Sequence, residues 1–309
     1  MQAFAHKQAS RRRDKLYAFF GLASGDLPEP DYHSSVEQVL TSMTEWLLQN
    51  TENLQLLAMD LPRNKPEGIP SWVPDFSSNP PFDDNYWRRR FHCLQTYDCA
   101  RGLPRLIRFP GRGELRSGGV QADVIDQIAP HTITLSAMAK HPAIMREWQK
   151  FAPCSVVAGD VFTDEFCSTM LAGCVDQKLD DRLTLQAIDP LALRQCRSML
   201  AWLTADDASR DAPQEFECVR QAHIGALLNR KLFLTRHGRL GVGSKSLEKG
   251  DCIWLVGGST APLILRHASA HTEPTGHARL NLVGHAYVHG IMQGEAVDPS
   301  RKLETFVLV

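Results

Sequence analysis

Three glycines, two histidines, a tyrosine and a glutamate fall within the stretch from Leu282 to Ala296, directly after a short apolar run. His285 or His289 set against Glu295 would make a general acid–base pair, with Tyr287 beside them. The same residues also suit a tight barrel corner, in which Gly290 and Gly294 take positive φ and Tyr287 packs below. The corner is the preferred reading, and no catalytic residue is assigned.

The remaining reactive side chains give weaker patterns. Five of the twelve histidines lie close together: His267, His271, His277, His285 and His289. On a helix the i, i+4 pairs His267/His271 and His285/His289 would each offer two imidazoles to one metal ion. Pro274 and Gly276 break the first stretch, however, and Gly284 to Gly290 reads as strand and turn. On a strand, i and i+4 stand ~13 Å apart, too far for one ion, so no metal is expected. Gly111-Arg112-Gly113 and Gly241-Val242-Gly243 are lone G-x-G pairs without a strand-to-helix context, and no cofactor is expected. Neither G-x-S-x-G nor H-E-x-x-H occurs.

The eight cysteines form no C-x-x-C pair, and nothing favours a particular Cys-His couple. With a polar, basic N-terminus in place of a secretion signal, all eight are expected to be reduced. Two basic clusters, Arg11-Arg12-Arg13 with Lys15 and Arg88-Arg89-Arg90, could grip phosphate. Tyr86, Trp87 and Phe91 beside the second would let bases stack. A net charge of −1 supplies no field to draw in nucleic acid, so both clusters read as solvated helix ends or local ion pairs. No apolar run reaches the ~18–20 residues of a membrane span. The expectation is a soluble cytoplasmic chain of two domains, with neither nucleic acid nor membrane as partner.

The elements that would position these groups can be read from periodicity. Arg13 to Gly21 reads as helix. Ser34 or Ser35 caps a second one, near 34–50, with Glu37 or Gln38 closing a capping box. Leu54 to Met59 is either a strand or a last helical turn. Six prolines between Pro62 and Pro81 exclude helix and central strand, leaving an extended connection pinned by Trp72, Val73 and Phe76. Gly118-Gly119 divides Leu115 to Ile128 into a hairpin. The middle, 137–228, reads as helical, with helices at Ala137 to Phe151, Thr163 to Ala172, Leu191 to Leu203 and Pro213 to Leu228 joined by loops rich in Asp, Gly and Pro. Short β-type runs follow: Lys231 to Thr235, Ile253 to Val256, Pro262 to Leu265, Leu280 to Val283 and Thr305 to Leu308. The fold class is α+β, with a helical and mixed region over 1–229 and a small antiparallel sheet or barrel over 230–309.

Arg13-Asp-Lys-Leu-Tyr-Ala-Phe-Phe-Gly-Leu-Ala23 resembles the R-D-K-(V/I)-Y-A-L-L-G-L-A segment of fungal heterokaryon-incompatibility (HET) proteins. Tyr32-His-Ser-Ser-Val-Glu-Gln-Val39 is similar to their next motif. Ile69-Pro-Ser-Trp-Val-Pro-Asp-Phe76 is similar to L-P-S-W-(V/A)-P-D-W. Arg230 to Leu240, Lys249-Gly-Asp251, Ala261 to Arg266 and Leu282 to Glu295 resemble the family's later motifs, in the family's order. The motif residues carried over are Arg13, Asp14, Lys15, Tyr17, Trp72, Pro74, Asp75, Gly250, Asp251, Arg266, Gly290 and Gly294.

The motifs of the HET signalling domain itself, S-Y-x-W-G and (I/V)-D-x-x-C-I-N-Q, do not occur. The resemblance therefore implies the region after that domain, and it transfers an architecture without a catalytic residue. It implies a non-catalytic interaction protein in nonself recognition, with another protein as partner. The alternatives are an enzyme on the same scaffold acting on a small molecule of fungal secondary metabolism, or a fragment of a full HET protein.

Overall fold

The computed structural model describes residues 14, 17, 29–59, 68–75, 84–111, 113–152, 162–179, 182–205, 213–268 and 276–309. Arg11, Arg12, Arg13, Lys15, Phe76 and His271 lie outside them, as do all but Asp14 and Tyr17 of the first expected helix.

Helix α1, Val36–Asn50, begins at a complete capping box. Gln38 N donates to Ser35 Oγ at 3.2 Å, and Ser35 N donates to Gln38 Oε1 at 2.9 Å. Two otherwise orphaned amides are thereby satisfied. Val39, Leu40, Met43 and Leu48 form the buried face of this helix. The following apolar run is helical: α2 is Gln55–Ala58. Of the proline-rich connection, Trp72 and Val73 are fully buried. Trp72 Nε1 donates to the Gly113 carbonyl at 2.9 Å, and Ser71 N donates to that of Val309 at 2.7 Å.

Helix α3, Asp84–Thr96, runs through a stretch where the sequence suggests at most a helix end. The middle then supplies α4 (His141–Phe151), α5 (Asp164–Met170), α6 (Pro190–Thr204) and α7 (Glu217–Leu227). Side-chain caps start two of them, Thr163 on Phe166 N and Asp189 on Ala192 N. The expected helix from Ala137 starts as a 3-10 turn over Leu135–Lys140, and Pro142 sits in the first turn of α4. The middle is also not wholly helical, because β3 (Cys174–Leu179) and β4 (Arg182–Ala187) pair there as an antiparallel hairpin.

Gly118-Gly119 also departs from the expected hairpin. No turn lies there. Residues Glu114–Ile128 form one strand, β2, whose actual hairpin partner is β1, Ile107–Gly111. Gly119 instead marks a close approach: a β-carbon there would lie 2.4 Å from the Leu255 carbonyl oxygen and 3.2 Å from Val256 Cα. At this point β2 passes from β10 to β7, and glycine is what lets the backbones meet.

The other strands are β5 (Arg230–Thr235), β6 (Leu240–Ser244), β7 (Cys252–Val256), β8 (Leu263–His267), β9 (Ala278–Val288) and β10 (Glu304–Leu308). Their pairing runs β2-β5-β6-β9-β8-β7, and β7 returns to β2, so the sheet closes on itself. Strand β10 lies antiparallel to β2 and parallel to β9. Register shifts at Gln121/Asp123 and Ile125/Gln127 bend β2 enough to serve both β7 and β5. Closure removes the open edges that such an antiparallel sheet would otherwise present. The barrel thus draws strands from both sides of residue 229.

A buried imidazole pair ties α4 to α7. His141 and His223 stack with centroids 5.0 Å apart, Nε2 to Nε2 at 3.0 Å. Burial lowers the His141 pKa from 6.5 to about 4, and burial also holds His223 well below its ordinary value. Below pH 6.5 the unfolded chain takes up protons that the folded chain refuses, so stability is full above 6.5 and falls toward pH 4. That shift corresponds to about 3 kcal/mol for His141 at the acid end. Thermal unfolding followed from pH 7 to pH 4 should show this slope, and His141→Leu should flatten it relative to the wild type.

Candidate functional site

The Leu282 to Glu295 stretch begins in β9, which is buried continuously from Gly284 to Val288. His285 is 3% exposed, and its Nε2 lies 2.5 Å from Nη2 of Arg230, itself buried on β5. Tyr287 is also buried, its hydroxyl 3.2 Å from His289 Nδ1, and burial raises its pKa. Its ring packs beside Tyr97, whose hydroxyl donates to the Ala172 carbonyl at 2.6 Å.

Gly290 and Gly294 have φ of +79° and +91° and form the turns after β9. The segment then docks on the end of α3: Asp98 N donates to the Met292 carbonyl at 2.9 Å, and Gln293 Nε2 to that of Thr96 at 2.8 Å. Glu295 is exposed, and its carboxylate accepts from Gln293 N at 2.6 Å. Among the described residues no hydrogen bond or ion pair joins His289 to Glu295. The structure thus brings Tyr287 and His289 together, binds His285 to Arg230, and leaves Glu295 apart.

The two glycines differ in what a side chain would cost. Around Gly290 nothing lies within 4 Å of an added β-carbon, so Gly290→Ala should cost about 1–2 kcal/mol from the backbone alone. At Gly294 the β-carbon would also press on Arg101 Cβ at 3.0 Å. Gly294→Ala should therefore melt lower than Gly290→Ala, and a side-by-side thermal melt checks the order.

The motif residues at Gly250, Asp251 and Arg266 form a clamp. Asp251, 1% exposed at the start of β7, receives Arg266 Nε at 2.7 Å and Nη2 at 3.0 Å, and accepts Glu248 N at 2.9 Å. Arg266 also reaches the Glu248 carboxylate at 2.6 Å and the Ser246 carbonyl at 2.8 Å. Gly250, at φ +93°, makes the turn, and its amide donates to the Ile125 carbonyl of β2 at 2.9 Å. A second buried carboxylate, Asp123, is held by His237 and Arg239, both at 2.9 Å. Its own burial acts to raise its pKa, but bonds from Thr235, Val124 N, His237 and Arg239 keep it below the usual value. Tyr17 is buried and donates to the Asp31 carbonyl at 2.5 Å, while Asp14 is half-buried. Trp72, Pro74 and Asp75 are buried as well.

The Arg88-Arg89-Arg90 cluster departs from expectation most sharply. Arg89 and Arg90 are 4% and 5% exposed and point inward, neither solvated nor set at a helix end. Arg90 donates through Nε to the Gly225 carbonyl at 2.9 Å and through Nη2 to that of Leu228, closing the end of α7. Arg89 donates to Cys93 Sγ at 3.3 Å and to the Cys174 carbonyl at 2.8 Å, and its Nε lies 3.1 Å from Asp176 Oδ1. Burial raises the Asp176 pKa against the pull of Arg89. The Cys93 and Cys174 thiols are in hydrogen-bond contact, and Thr96 Oγ1 lies 2.9 Å from Cys174 Sγ. That bond, followed by the charges of Arg89 and Arg230, brings Cys93 down from 9.0 to about 6, while Cys174 is pushed up. The i, i+4 spacing of Arg89, Cys93 and Tyr97 was the available signal for this cluster.

No group of three or more His, Cys, Asp or Glu side chains is placed to hold a metal ion among the described residues. Gly241-Val242-Gly243 lies within β6, and Gly111 ends β1. No described helix is long and apolar enough to cross a membrane.

A closed antiparallel barrel joined to seven described α-helices defines an α+β barrel protein. Residues 194–309 match the family model of the Het-6 beta-barrel domain, a region of HET-family proteins. The C-terminal region is therefore similar to the barrel region of HET-family proteins, in agreement with the resemblance of its motifs. No curated protein and no solved structure matches the chain.

Proposed function

We propose that this chain acts in fungal nonself recognition as a non-catalytic interaction protein, binding another protein rather than turning over a substrate. The supporting observation is the employment of the motif side chains within the fold. Asp251 and Arg266 clamp β7 to β8, His285 is bound to Arg230 in the barrel wall, and Gly290 and Gly294 shape a corner that rests on α3. Side chains committed to internal bonds serve architecture, and the outer surface is then the part left to vary between partners.

The test is genetic. Deleting the gene from its source fungus should abolish the incompatibility reaction against at least one tester strain. Wild type and a His289→Ala/Glu295→Ala double variant should restore it equally. Restoration by wild type alone would favour an enzyme instead, and an unchanged reaction in every pairing would contradict a role in recognition.

A further inference from the structure

Two cysteine pairs are buried in the helical part, and they differ in one respect. Cys167 on α5 and Cys196 on α6 are in hydrogen-bond contact, and the bond to Cys167 together with burial pushes Cys196 up. Arg197, the cation that acts on this pair, donates to the Phe162 carbonyl at 2.9 Å and to Asp164. Cys93 and Cys174 share two partners: Thr96 Oγ1 donates to the Cys93 carbonyl at 2.8 Å and lies 2.9 Å from Cys174 Sγ, and the buried Arg89 guanidinium points one donor at Cys93 Sγ at 3.3 Å and another at the Cys174 carbonyl at 2.8 Å. A thiol so placed is held toward its thiolate, the form that reacts with oxidants.

We propose that Cys93 and Cys174 form a reversible peroxide-responsive thiol pair, closing to a disulfide that joins α3 to β3. With both sulfurs buried, the oxidant must be as small as a hydroperoxide. The Cys93 thiolate attacks one peroxide oxygen, the O–O bond breaks, and the leaving hydroxide takes a proton to depart as water. Cys93 is then a sulfenic acid. The Cys174 sulfur attacks the Cys93 sulfur, the S–O bond breaks, and the departing hydroxide takes the Cys174 proton. In sum two thiols lose two electrons, and one hydrogen peroxide becomes two waters. Arg89 holds both partners, through Cys93 Sγ and the Cys174 carbonyl, so it is the positioning residue. The linkage would lock the end of α3 on which the corner after β9 rests.

The test treats the fully reduced full-length protein with about one equivalent of hydrogen peroxide, followed by non-reducing peptide mapping. The expected product is a Cys93–Cys174 cross-linked peptide that thiol reductant reverses. It should form before any Cys167–Cys196 link and before oxidation of exposed Cys218. In Cys174→Ser, a 1,3-dione probe present while the peroxide-treated protein is unfolded should label Cys93 as the trapped sulfenic acid. Arg89→Gln should slow the link on the order of tenfold, and Arg89→Lys should restore much of the rate. Oxidised Cys218 with Cys93 and Cys174 still thiols would overturn the proposal. Closure of Cys167–Cys196 at an equal or greater rate would overturn it too, since the guanidinium would then confer nothing.

Discussion

Expressed alone, residues 194–309 should give no cooperative unfolding transition, while the full chain should give one. The matched region contains β5 to β10 but not β2, the strand on which closure depends. Without β2, Cys252–Val256 loses the partners Gly119 to Val124, Phe233–Thr235 loses Ile125 to Ile128, and β10 loses Leu115 to Gly119. Val120 and Ile125 are fully buried, each representing about 1.5–3 kcal/mol of apolar burial. Leu115 is lost with them. Against a typical net stability of about 5–15 kcal/mol, losing three such side chains and one full strand leaves little. Thermal melting by circular dichroism with an apolar dye is the measurement. The fragment should bind dye and melt without a sharp midpoint, and a two-state melt near that of the full chain would contradict the account.

Arg266→Ala should be the most damaging single substitution in the motif set. It strands the Asp251 carboxylate, 1% exposed, with only the Glu248 amide as a described partner. Breaking one side of such a pair costs about 3–5 kcal/mol, because the remaining charge stays buried. The comparison that isolates this effect is Glu248→Ala. Glu248 also bonds Arg266, but its side chain is 66% exposed, so its removal should cost under about 1 kcal/mol. Chemical denaturation of both variants gives the two values. Equal losses would mean that Arg266 acts through its surface contact and not through Asp251.

Local patterns were legible in the sequence, and long-range pairings were not. The Ser35 capping box and the strands from β7 to β10 follow from rules that operate within a few residues. Gly118-Gly119 reads as a turn because glycine pairs usually mark turns, whereas here Gly119 permits a backbone contact with Leu255 far along the chain. β6 escaped notice because its Gly241 and Gly243 dilute the β signal. The β3–β4 hairpin lay in a stretch read as loop between helices. Arg89 and Arg90 looked solvated because charge argues for water, and only the carbonyls of Gly225 and Leu228, Cys93 and Asp176 make their burial tolerable. In the corner, Gly290 and Gly294 take the positive φ that was anticipated, while the distance of Glu295 from any acid–base pairing depends on how the turn docks on α3.

Strand β2 closes the barrel as an integral strand, paired with both β5 and β7. Native-state hydrogen exchange tests it most directly. Amides of β2 from Val120 to Val124 should exchange only through global unfolding, with the same protection as those of β7 from Cys252 to Val256. Fast exchange in β2 while β7 and β8 stay protected would contradict it.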